Sequence, residues 1–246
     1  MTYLCSTELI VNAIEHLRQA ENYIFSFIIA SIPPLLTAVI TYKFFHYQNR
    51  LKIEKENLDT ANKWILLADE AMFNLITIKK IYCGKLTKNP IERATVIPSV
   101  LFAAKPIAED YSQLVFLVPK QSSDKNQKWS SIRRIRIMIH NYNYVQELWL
   151  KRNEIDRPIK EKVVKQYSEN AFASVTYEQI IECVGEANFC LLVDLTEKVV
   201  KLTDDLLVEL NDFLINFPVY AETQINHKKF RTLGSVLTDL NNGNKV

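Results

Sequence analysis

Glycine is nearly missing from this sequence, with 4 residues in 246. Loops that cradle phosphates need closely spaced glycines so that backbone N–H groups can approach the oxygens, and no such cluster is present. Sheet-rich folds also lean on glycine turns, so the shortage favours an all-α chain. Histidine is equally scarce: His16, His46, His140 and His227 are too dispersed for a multi-histidine metal site, and neither HExxH nor GxSxG occurs. The cysteines Cys5, Cys83, Cys183 and Cys190 show no CxxC pairing, which argues against zinc. The net charge of +2 is too small to imply nucleic acid by itself. On these grounds no metal, cofactor or small-molecule substrate is expected, and the chain does not read as an enzyme.

The most informative absence is of charge between Ile24 and Tyr42. That length matches the roughly 20 residues a helix needs to cross a bilayer core. Before it, Glu8, Glu15 and Glu21 stand against a single Arg18; after it come Lys43, Arg50, Lys52 and Lys55. Basic residues beside a span stay in the cytoplasm, so the N-terminus is expected outside and the bulk inside. A cleaved signal peptide fits poorly, because the basic leader is missing and bulky Lys43-Phe44-Phe45-His46 replaces a small-residue cleavage site. The remaining alternative is the core helix of a water-soluble protein. Pro33 and Pro34 lack N–H groups and predict a kink, with Ser31 and Thr37 placed to satisfy the freed carbonyls. The expected layout is a short extracytoplasmic segment (1–22), a transmembrane helix (23–43) and a cytoplasmic helical domain (44–246). Cys5 then lies outside, free to pair only between molecules, while the other cysteines are reduced apolar fillers.

Leu4, Ile10, Val11, Ile14 and Leu17 recur at helical spacing, which fits either an amphipathic helix on the outer leaflet or an extension of the span. Beyond the span, helix is expected to about Tyr82. Leu51, Leu58, Ile65 and Met72 recur every seven residues with Ala61, Ala68 and Leu75 between them, interrupted at Glu54. Trp64, Leu67, Phe73 and Ile76 widen that face to suit a bundle. Residues 85–128 are irregular: Pro106 can open a short helix through Ala108, Tyr111, Leu114 and Leu117, or Leu114–Val118 can form a strand. Gln121–Asn126 reads as a solvated loop.

A second helix is expected from Lys128 to Asn153, with Trp129, Ile132, Ile135, Ile139, Tyr142, Val145 and Trp149 as its buried stripe, broken by Asp156-Arg157-Pro158. Lys160–Asn170 reads as a short helix. Thr176 and Gln179 resemble a capping box opening a helix of about 40 residues. Its stripe is Ile180, Val184, Leu191, Leu195, Val199, Leu202, Leu206, Leu210, Phe213 and Phe217, and Pro218 stops it. A last helix covers Lys228–Leu240. The three long helices are expected to pack antiparallel as an elongated bundle.

Chemistry is sparse. Arg133, Arg136, His140 and Asn143 fall at steps of three, four and three along one helix face. With Tyr142 and Tyr144 nearby they fit either a solvated basic ridge or a contact for an anionic partner, nucleic acid or lipid headgroup. Arg134 and His140 also match the Arg-x(4–6)-His spacing of some helical-bundle ribonucleases, with Ile135 where a polar residue usually follows the arginine. The acidic pairs Glu109-Asp110 and Asp204-Asp205 read as solvated surface.

In layout, the Ile24–Tyr42 span, its basic flank Lys43–Lys55 and the motif-free helical body resemble the small membrane effectors of bacterial anti-phage cassettes, including retron-associated transmembrane proteins. The resemblance implies an inner-membrane toxin held silent by a cytoplasmic protein or nucleoprotein complex and released on infection. Separately, Ser26, Ala30, Ser31, Thr37 and Ala38 are small or hydroxyl residues through which spans can self-associate in the bilayer. A passive membrane tether for a cytoplasmic partner is the alternative from the same layout.

Overall fold

The structure is a computed structural model that describes residues 2–101, 105–119, 127–167 and 176–225; up to residue 28 only some side chains are described. The described residues are helical, with no strand among them. The helices are α1 (Thr2–Tyr82), α2 (Pro90–Val96), α3 (Ile132–Tyr167), α4 (Tyr177–Val184) and α5 (Glu186–Ile225), joined by 3-10 turns at Cys83–Lys85, Tyr111–Leu117 and Lys128–Ser130. The chain divides into two compact units at Ile53/Glu54, and α1 contributes residues to both.

In the first unit α1 is helical from Thr2 onward, so residues 4–21 extend the apolar stretch rather than forming a separate helix. Helix continues through Pro33 and Pro34. Ser31 Oγ donates to Phe27 O (2.7 Å) and Thr37 Oγ1 to Pro33 O (2.9 Å). These are not the carbonyls the prolines free, which belong to Ile29 and Ala30. The hydroxyls instead bond back one turn, as serine and threonine do inside helices.

The second unit buries the centre of the expected α1 face: Ala61, Trp64, Ile65, Ala68 and Leu75 are in the core, Leu58, Leu67, Met72 and Ile76 are half-buried, and Tyr82 joins the core. Phe73 is the exception, 68% exposed, because it falls on the opposite side from that stripe. All of the α3 stripe from Ile135 to Trp149 is buried as its spacing predicts. Asn74 Nδ2 donates to Tyr142 Oη (3.0 Å), and the Tyr82 ring stacks on Trp149 (5.5 Å). Sequence numbers rise together at these contacts, so α1 and α3 run parallel, and the long connection 83–131 permits it. Only α5 is antiparallel: Thr196 meets Arg152, Thr203 meets Trp149, and Asp212 meets Trp129. The all-antiparallel expectation is thus corrected.

Three expected breaks move. Asp156-Arg157-Pro158 does not end α3, which absorbs the separate helix expected at Lys160. Pro158 and Glu154, whose carbonyl the proline frees, both face solvent, while Asp156, Ile159 and Val163 hold the opposite face. Pro218 does not stop α5 either: Tyr220, Ala221 and Ile225 beyond it are buried, and Tyr220 Oη donates to Leu117 O (2.7 Å). The break lies earlier, at Gly185. The Thr176–Gln179 capping box is present and opens α4, which ends at Gly185 with φ +84°. That break rotates the stripe, so Phe189 and Leu192 are buried while Leu191 is exposed. Gly185→Ala is expected to destabilise the domain by roughly 1–2 kcal/mol, because a Cβ disfavours this backbone conformation although no neighbour crowds it. A chemical denaturation midpoint checks this.

The irregular region forms neither a Pro106 helix nor a strand at Leu114–Val118; Tyr111–Leu117 is a 3-10 segment whose N-cap, Asp110, accepts from Ser112 N. α2 was not anticipated, although its signal is plain: Asn89 accepts from Ile91 N, with Pro90 at the first helical position. Gln121–Asn126 and Lys228–Leu240 lie outside the described residues.

Candidate functional site

Two surfaces carry what the sequence singled out, one in each unit. The first is the exposed apolar length of α1. Phe25, Phe27, Ile29, Ile32, Leu35, Leu36, Val39 and Ile40 are all exposed, and none of the most apolar 18-residue stretch is buried by the chain itself. Large apolar patches on soluble proteins rarely exceed a few hundred Å², so a helix apolar on every side needs a covering medium or partner. A core helix is mostly buried, whereas this stretch of α1 has no buried side chain among the described residues.

The second is the outer face of α3. Arg133, Arg136 and His140 are exposed and make no hydrogen bond or ion pair among the described residues, with Ile137 exposed between them. Arg136 stands close enough to Tyr111 to oppose the rise that burial imposes on that phenol's pKa. Asn143 does a different job. Its Oδ1 accepts from Ile107 N and its Nδ2 donates to Ile107 O, both at 2.9 Å, clipping segment 105–110 onto α3. Beside that clip, Leu67, Glu70, Asn74, Lys105, Glu109 and Tyr142 line a cleft of about 640 Å³.

Arg134 and His140 are not brought together. Six residues turn a helix through about 600°, leaving the two side chains about 120° apart in direction. Arg134 turns toward α5, with Nε 3.8 Å from Glu209 Oε1 and its guanidinium over the Trp129 ring. The acidic pairs are not merely solvated. Glu109 binds Lys63 (2.5 Å), and Asp204 binds Lys79 (2.7 Å) and accepts from Tyr82 Oη. Among the described residues no His/Cys/Asp/Glu group is arranged to hold a metal ion.

Sequence reasoning missed a buried ionic network. Arg152 and Asp156 are fully buried. Arg152 donates to Thr196 Oγ1 (3.0 Å) and to the carbonyls of Ala94 (3.1 Å), Ile97 (2.7 Å) and Pro98 (3.2 Å). Asp156 Oδ2 accepts from Ser99 Oγ (2.9 Å) and Lys160 Nζ (2.8 Å). Burial pushes the Arg152 and Lys160 pKa values down, against the attraction of Asp156. Next to Arg152 in the chain, Asn153 exchanges two hydrogen bonds with the Val100 backbone. The signal was the i, i+4, i+8 spacing of Arg152, Asp156 and Lys160, obscured by reading Pro158 as a terminator. The network fastens residues 94–100, which lack regular structure past Val96, to α3 and α5.

Comparison with protein-family models, with characterised proteins and with solved structures finds no match for this chain.

Proposed function

We propose that this chain is a single-span protein of a bacterial inner membrane, with its N-terminus outside and its helical domain in the cytoplasm. The observation that carries the reading is the uncharged helix from Phe25 to Tyr42, none of whose described side chains is buried. Its basic side, Lys43 to Lys55, supports the orientation.

Within that placement the chain acts as an effector. A cytoplasmic protein or nucleoprotein complex restrains the helical domain, and its loss lets the spans assemble and perturb the membrane in anti-phage defence. The layout resemblance to retron-associated transmembrane proteins supports this role, as do the paired prolines and small residues of the span. Strong expression without partner genes is expected to collapse the membrane potential and arrest growth, read with a potential-sensitive dye. Normal potential and growth under strong expression, with and without neighbouring genes and phage, reject the effector role.

A passive tether is the second reading, favoured by the Ser31 and Thr37 hydroxyls, which are already spent within their own helix. A foreign, proline-free span of equal length preserves function in a tether and abolishes it in an effector. The membrane-anchored ribonuclease using Arg134 and His140 has less geometric support, since the two diverge; His140→Ala leaves RNA cleavage unchanged unless that reading holds.

A further inference from the structure

We propose that the anionic partner of the α3 ridge is a second copy of this chain, which presents the outer face of its own α1. The inference rests on the single-span reading only for the common orientation of the copies. It rests for the rest on three properties of the two faces.

The first is charge. On α3, Arg133, Arg136 and His140 have no ion pair among the described residues; on α1, Asp59, Asp69 and Glu70 have none either. Exposed cations and anions of one domain are each left without their complement, and opposite potentials on two faces of one molecule favour association between copies.

The second is apolar content. Leu66 and Phe73 stand exposed among the acids, and Ile137 among the bases. An apolar centre inside a charged rim is the anatomy of a protein interface. A nucleic acid uses the bases alone and leaves Phe73 uncovered.

The third is level. Asn74 lies against Tyr142, 68 residues on, and the Tyr82–Trp149 stack keeps that offset within one residue. Arg136 and His140 on α3 therefore bracket the height of Asp69 and Glu70 on parallel α1, and Phe73 lies at the height of His140. A rotation axis along these helices preserves height, so it sets the acidic face of one copy against the basic face of the next in register. Copies anchored the same way in one membrane share one direction of insertion, and around an axis of this kind the pairing closes into a dimer or ring.

Disulfide trapping of the full chain in liposomes tests the proposal. In a background with all four native cysteines replaced by serine, one copy carries Phe73→Cys and the other His140→Cys, and the mixture is oxidised with copper–phenanthroline. The mixed cross-link is expected to exceed that of a control pairing, Phe73→Cys with Val208→Cys on exposed α5. Adding Arg133→Glu and Arg136→Glu to the His140→Cys copy lowers the yield roughly tenfold. Adding Asp69→Lys and Glu70→Lys to the other copy restores it. A yield no higher than the control, or one indifferent to reversal, overturns the proposal. So does reversal that removes binding of a labelled single-stranded RNA while the swap restores no cross-link; that result assigns the ridge to nucleic acid. Alkaline carbonate washing of the same liposomes separates the two readings. Cross-linking by chain that washes off keeps the interface and rejects the span.

Discussion

Arg152→Ala is expected to destabilise the helical domain by about 3–5 kcal/mol, the range seen when one partner of a buried ion pair is removed. The loss exceeds a single contact because Arg152 is the shared donor for Thr196 and for three carbonyls at the end of α2 and just beyond it. Without it the carbonyls of Ala94 and Pro98 lose this donor, Ile97 O keeps only Lys160 Nζ, and Asp156 keeps only Ser99 and Lys160. Arg152→Met retains the stem's packing but none of the donors, so it should lie within the same range. Adding Asp156→Asn to Arg152→Met is expected to cost less than the two single losses combined, because the aspartate's charge is no longer isolated. Denaturant unfolding of the detergent-solubilised full chain measures these variants, Asp156→Asn alone included. A loss below about 1 kcal/mol for Arg152→Ala means that residues 94–100 are held by something else.

The second large effect concerns the span. Ile32→Arg with Leu36→Arg places two charges near the middle of the apolar run. Each costs about 2.5–3.5 kcal/mol at the centre of a membrane helix on insertion scales. Together they are expected to shift most of the chain out of the carbonate-resistant membrane fraction. Phe44→Arg, at the basic end, is expected to leave insertion intact, because a long cationic side chain there reaches the headgroups. Equal recovery of all three proteins in the membrane fraction contradicts the reading. A water-soluble helix gives a different pattern, since exposed positions tolerate arginine and fractionation changes nowhere.

What was legible in the sequence is periodic apolar content. Ala61, Ile65, Ala68 and Leu75 of the α1 stripe and the α3 stripe from Ile135 to Trp149 are buried where the spacing puts them, because helix geometry leaves little choice about which side faces the core. Helix ends were less legible. Pro158 and Pro218 look like terminators because proline removes a donor, yet tertiary contacts beyond each one outweigh that local cost. Gly185 carries the break instead, and one glycine between two apolar runs says little until its backbone angle is known. Parallel packing of α1 and α3 was hidden because connection length, not residue pattern, decides it.

The ridge was half legible. Its spacing identified four residues on one face, but nothing in the spacing distinguishes exposed Arg133, Arg136 and His140 from Asn143, whose amide is committed to Ile107. Partners distant in sequence decide that, and the buried Arg152 network escaped notice for the same reason.

The function proposed for this chain depends on the helix through Ile24–Tyr42 lying in lipid. Ultracentrifugation of the full chain prepared without detergent tests it most directly. The account predicts that the protein sediments with membranes or aggregates and becomes monodisperse only once detergent is added. A chain that stays in the supernatant as a single monodisperse species, with no detergent present, contradicts it.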